Sequence, residues 1–198
     1  MQITSLPATP LVLPGGDTVS IATQLWTLER WSGSDPPDLK PQWGIKPGFT
    51  VRGRRSCGEL AVLDYLRHDG CHGVWVNPFG GELRAEWFPA TAVKTIAETR
   101  APIWLVEIFE RLLATKGGKL GGFFDVFAWR QPGEIRFDEV KVRPNRIGLS
   151  QRKFLKTVLR FYPSGNSLLS RSKDYRLSPA SNGMTATTRQ HRRPVRGT

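Results

Sequence analysis

Sulfur is scarce in this 198-residue chain, which has two cysteines, Cys57 and Cys71, and two methionines. Two thiols cannot build a disulfide framework, so a small secreted scaffold held by bridges is excluded, and in a reducing cytoplasm both thiols are expected free. Histidine numbers only three. Cys57, His68, Cys71 and His72 lie within sixteen positions, yet their spacing follows no zinc template, and adjacent Cys71 and His72 seldom both reach one ion. Long apolar runs are missing too: no stretch approaches the ~18 residues of a membrane span. The opening MQITSLPATPLVLPGG has no basic segment, and prolines interrupt its apolar residues, which argues against a signal peptide. No Gly-x-Ser-x-Gly elbow occurs, and Gly80-Gly81 lacks the lysine and helix of a phosphate loop. These absences set aside disulfide scaffolds, membrane spans, nucleotide loops and serine-hydrolase chemistry. The expectation is a soluble cytoplasmic protein with no membrane partner.

Positive charge, by contrast, is abundant and unevenly placed. The net charge is +12. From Lys141 to the C-terminus, 14 lysines and arginines stand against one acid, Asp174, whereas the preceding 140 residues are close to neutral. A polyanion is the natural partner of such a half-chain, and nucleic acid is the expected one.

The hydrophobic content of 39% suffices for one packed core. Residues 1–50, rich in proline, read as an extended arm with one short element over 20–31; Trp26, Trp31 and Trp43 predict that it packs on something. Residues 51–178 read as the folded domain and 179–198 as a basic tail without an apolar core. Within the domain, a helix is predicted from Ser56 to a Gly70 cap, a strand at 74–77, a further strand around 83–88, and a packing helix at 103–114. A last strand is expected in 167–177. Glu59 has two readings in the first of these helices. It stands three residues after Ser56, the spacing of a capping box, and it shares the i, i+3, i+4, i+7 stripe of Val62, Leu63 and Leu66 that faces a core.

The most informative stretch is 121–161. An aromatic, β-branched strand over 123–129 carries a single acid, Asp125, and Gln131-Pro132-Gly133 supplies a turn. In the following strand, 134–142, period-two alternation places Ile135, Phe137, Glu139 and Lys141 on one face and Arg136, Asp138, Val140 and Val142 on the other. Pro144 and Gly148 end it, and Ser150 is placed as N-cap of a helix beginning at Gln151. Gln151, Phe154, Leu155 and Val158 form that helix's buried stripe, while Arg152, Lys153, Lys156 and Arg160 lie largely off it.

Asp125 with Trp129, then Glu139-Val140-Lys141, then a helix led by Gln151, resembles the VRR-NUC branch of the PD-(D/E)XK nuclease superfamily. The strong match covers about a third of the chain. Phe124 stands where proline often precedes the aspartate, and Val142-Arg143-Pro144 replaces the usual Gly-Pro; neither removes a reacting group. The resemblance implies an α/β restriction-endonuclease-like fold of αβββαβ type, a mixed central sheet flanked by helices. It implies a Mg²⁺- or Mn²⁺-dependent nuclease acting on DNA, with branched or structured DNA among the substrates to consider, and a homodimer where both strands are cut. Asp125, Glu139, the Val140 carbonyl and Glu59 are the implied metal ligands. Lys141 would orient water or offset charge, and Gln151 would position one of the reacting groups.

Arg143, Arg146, Arg152, Lys153 and Lys156 surround the motif in sequence and are the expected nucleic-acid contacts. Other readings stay open. The trio Asp125, Glu139 and Lys141 also suits a structural ion pair in a hairpin, Gln151 also suits a solvent-facing helix start, and the same fold could bind nucleic acid without cutting it. An acid-x-Lys pattern alone is weak, since Asp38-Leu39-Lys40 repeats it in the arm without a neighbouring strand acid.

Overall fold

A computed structural model describes residues 1–34, 48–84, 92–130, 134–141 and 147–161, and the backbone of 168–173. The Gln131-Pro132-Gly133 turn, Arg143, Arg146, Trp43, the Asp38-Leu39-Lys40 repeat and the tail lie outside these residues.

The chain runs β1 (Gln2–Val12), β2 (Thr18–Thr27), β3 (Phe49–Val51), β4 (Arg54–Ser56), α1 (Gly58–His68), β5 (His72–Asn77), β6 (Glu82–Arg84), a 3₁₀ turn (Ala97–Thr99), α2 (Ile103–Ala114), β7 (Val126–Trp129), β8 (Ile135–Lys141), α3 (Leu149–Phe161) and β9 (Leu168–Lys173). Seven strands form one mixed sheet, ordered β1-β2-β9-β8-β7-β5-β6, and β3 and β4 pair separately. β9 is parallel to both neighbours, β2 and β8; the other pairs in the sheet are antiparallel. The protein is therefore a mixed α/β fold.

Strand alternation divides the core. Val74, Phe127, Trp129, Ile135 and Phe137 face one side, where they meet Leu105, Val106, Phe109 and Leu112 of α2 and Phe154, Leu155 and Val158 of α3. Trp75, Val126, Ala128 and Val140 face the other side, against Leu60, Val62, Leu63 and Leu66 of α1. Burying each of these large side chains contributes about 1.5–3 kcal/mol. Phe154 is central to the first layer, its ring 4.2 Å from that of Phe123 and 5.4 Å from that of Phe137.

The N-terminal stretch departs from the expectation of an arm, because β1 and β2 are full strands of the sheet. Alternation in β2 buries Ile21 and Thr23 on one face and Trp26 on the other, and Trp26 packs edge-on against Tyr65 with 5.1 Å between centroids. Prolines obscured this pattern, but β1 is an edge strand with a register shift between Leu6 and Thr9, where missing amide donors are tolerated.

Helix boundaries also differ. α1 starts one residue later than a Ser56 cap requires, with Cys57 at the N-cap and no side-chain capping bond. Ser56 therefore stands one residue before the N-cap rather than at it. At its other end Gly70 N–H donates to Arg67 O (3.0 Å) and Cys71 N–H to Leu66 O (2.8 Å), with Gly70 at φ +82°. This is the six-to-one and five-to-two bonding of a glycine-terminated helix. α3 begins at Leu149, so Ser150 lies inside it rather than at its cap.

Candidate carboxylate and lysine site

β7 pairs with β8 from Trp129↔Ile135 to Val126↔Asp138, and there the ladder stops. Asp125 follows directly. Its carbonyl accepts from Val76 N–H (2.8 Å), which keeps it against β5, while its Oδ2 accepts from Val140 N–H (2.9 Å). The side chain thus replaces the next strand partner and is held at the end of β7 beside β8. Val140, expected to offer its carbonyl to a metal, is engaged here through its amide.

Glu139 projects from β8 and is 1% exposed. Its Oε1 is ion-paired with Lys141 Nζ, two residues on and on the same face. Its Oε2 is buried and has no hydrogen-bond partner among the described residues. Gln151 opens α3 in the third helical position. Its Oε1 accepts from Gly148 N–H (3.0 Å), as the second half of a capping box does. With the oxygen so held, the rest of the amide lies near Glu139 and favours its ionised form.

Both acids resist ionisation. Asp125 is held well above the usual carboxylate range, by burial first, then by the charges of Glu139 and Glu59; the Val140 amide and Lys141 oppose this. Glu139 is also raised, by burial and by Glu59, against the pull of Lys141 and Gln151. Glu59, half-buried in the first turn of α1, thus acts on both acids through its charge.

Asp125, Glu139, Lys141, Gln151 and Glu59 are therefore gathered at one end of β7 and β8. Among the described residues no three His, Cys, Asp or Glu side chains form a ready metal cage. Mg²⁺ rarely uses one; it takes one or two carboxylates and completes its shell with water and phosphate oxygens. Two repelling acids and an unpartnered buried carboxylate oxygen fit such an ion.

The expected nucleic-acid contacts divide. Arg152 donates through Nε to Ile147 O (3.0 Å) and through Nη1 to Val12 O (3.3 Å). Lys156 Nζ donates to Pro14 O (2.6 Å) and lies 3.3 Å from Asp17 Oδ2. These two side chains tie α3 to the β1–β2 turn. Lys153 remains exposed.

One buried group escaped the sequence reading. On the opposite face of β8, Asp138 is 0% exposed and takes Arg136 Nε (2.8 Å) and Nη2 (2.9 Å) on its two oxygens. Burial pushes its pKa to about 6, although Arg136 pulls it down. The i, i+2 spacing of Arg136 and Asp138 was its visible signal.

No protein-family model matches this chain, and neither a curated protein nor a solved structure does.

Proposed function

We propose that the protein is a metal-dependent nuclease that hydrolyses DNA phosphodiester bonds with a restriction-endonuclease-like core. The observation that carries this reading is the convergence of Asp125, Glu139, Lys141 and Gln151 from β7, β8 and α3, with a buried Glu139 oxygen left without a partner among the described residues. The succession α1, β5, β7, β8, α3, β9, with β6 and α2 inserted, supports the fold half of the proposal. The +12 net charge supports a polyanionic substrate.

Asp125 and Glu139 would hold Mg²⁺ or Mn²⁺, whose chemistry is to polarise water and offset phosphate charge. Glu59 adds negative potential that raises cation affinity without needing direct contact. Lys141, on the same face as Glu139, would donate to a phosphate oxygen or orient the attacking water. Gln151 does not titrate; it positions Glu139, and its own position is fixed by Gly148 N–H.

A binding module that holds nucleic acid without cutting is the second reading. The closed Lys141–Glu139 ion pair favours it, because one Glu139 oxygen is already committed. Cleavage of duplex, branched and single-stranded DNA with and without Mg²⁺ or Mn²⁺ separates the two. Metal-dependent cutting that is lost in Glu139→Gln supports the nuclease, and metal-independent binding without cutting supports the module.

A further inference from the structure

Among the described residues, Phe79 is the most exposed large apolar side chain, at 98%. It sits on the turn between β5 and β6, and that turn is at the candidate-site end of the sheet. β5 runs towards Asn77, and Val76 N–H bonds to Asp125 O (2.8 Å), so the chain passes Asp125 before it reaches Phe79. Phe79 follows Val76 by three residues, a span of at most roughly 11 Å between Cα atoms.

The turn is braced from below rather than loose. Asn77 Nδ2 donates to Glu82 Oε1 (2.9 Å), and Arg84 Nε donates to the same oxygen (2.8 Å); Asn77 and Arg84 are buried. At Gly80 a Cβ would lie 2.8 Å from Asn77 Nδ2, so a larger residue would have to displace this bond. Exposed Lys94 donates through Nζ to Gly80 O (3.4 Å). The result is an aromatic ring in solvent on a hydrogen-bonded turn, one residue before the carbonyl that Lys94 holds.

Such an arrangement has no folding role to explain it, since the ring buries almost nothing. An exposed aromatic on a turn that also holds a cation is what a single strand takes: the charge meets phosphate and the ring stacks on a base, whichever base it is. We propose that Phe79 is a base-stacking contact for an unpaired nucleotide. This inference rests on the nuclease reading for the site but concerns binding, and binding can be measured without turnover.

The test is affinity in chelator for a duplex with a short unpaired end and for the same duplex with blunt ends, using Phe79→Ala, Phe79→Leu and Phe79→Trp proteins beside the unaltered one. Phe79→Ala should weaken binding to the unpaired end by about 5- to 150-fold, while blunt duplex changes by less than about two-fold. Phe79→Leu, which keeps bulk without a π face, should behave like alanine, and Phe79→Trp should bind as well as the unaltered protein. A fluorescent base analogue at the unpaired position should be quenched by the unaltered and Phe79→Trp proteins and not by the other two. Equal affinities in all four proteins would overturn the inference, as would failure to bind any DNA. A Phe79-dependent change of self-association in sedimentation, with DNA affinity unchanged, would also overturn it and make the ring a contact between copies. If Phe79-dependent stacking is found but no metal supports cutting, the inference stands and the nuclease reading falls.

Discussion

The two faces of β8 carry the same arithmetic and opposite outcomes. Arg136 and Asp138 form an acid–base pair two residues apart on the α1 side; Glu139 and Lys141 form one on the α3 side. In the first, both carboxylate oxygens are bonded. In the second, one oxygen is bonded and the other is buried without a partner among the described residues, with a second acid beside it. On the proposed reading the first pair serves the fold and satisfies its own valences, whereas the second leaves one for a ligand to satisfy.

Breaking that contrast gives the largest expected effect. Glu139→Gln and Asp125→Asn proteins should stay folded and lose metal-dependent cleavage by about 10³-fold or more, as losing a group that stabilises developing charge does. Single-turnover cleavage in saturating Mg²⁺ checks this. Arg136→Met on the other face should leave turnover per folded molecule unchanged but cost about 3–5 kcal/mol at pH 7, because Asp138 keeps its burial and loses its counter-charge. Urea unfolding measures it, and the cost should shrink near pH 5, where Asp138 holds its proton.

The pH dependence sharpens the same comparison. A carboxylate with a raised folded pKa contributes stability that is fully present below its unfolded value and lost as pH rises through its folded value. For Asp138 that window runs from about 4 to about 6, worth on the order of 3 kcal/mol. Asp125 and Glu139 have the same sign. In chelator, stability should therefore fall as pH rises across this range, and Asp138→Asn should flatten its share. Asp125→Asn, which can still accept from the Val140 amide, should melt higher at pH 7, by about 2–4 °C for each kcal/mol of relieved repulsion. If Asp125→Asn melts lower, the carboxylate is a structural cap of the β7–β8 ladder rather than a strained ligand.

The smallest effects separate neighbouring lysines. Lys153→Gln should reduce the salt slope of DNA affinity by about 0.9 with no change in stability, since an exposed phosphate contact releases counterions. Lys156→Gln should cost stability by about 0.5–1 kcal/mol through the β1–β2 turn. Salt titrations and thermal melts on the two proteins test both.

Much of the site was legible because strand alternation is a hard rule. Once Glu139 and Phe137 belong to one strand, their shared face follows, and the helix stripe that buries Phe154 brings Gln151 with it. Asp125 was legible as an acid in an apolar run, although its bond to the Val140 amide was not, because it depends on where the β7–β8 ladder stops. Arg152 and Lys156 looked like surface charge because their partners, Val12 and Pro14, are 140 and 142 positions away. The β1–β2 hairpin was hidden by its prolines, and only its place at the sheet edge makes those prolines harmless. Glu59 was legible as an inward-facing acid, but its capping role depended on a helix start that fell one residue later.

The position of β9 between β2 and β8 has a consequence for synthesis. The first hairpin leaves the ribosome early, yet its only strand-to-strand link to the rest of the sheet, among the described residues, is the last strand. At ~5–20 residues per second the hairpin waits roughly seven to thirty seconds for β9 to emerge. During that interval β2 and β8 each present an open edge, a template for pairing with another chain. Trp26 against Tyr65 and, once α3 has formed, Lys156 on the Pro14 carbonyl are the contacts that can hold the hairpin in place before its neighbour arrives. Nascent chains arrested before Leu168 should therefore show the hairpin docked but its β2 edge open to exchange, and chains extended past Lys173 should show that edge protected.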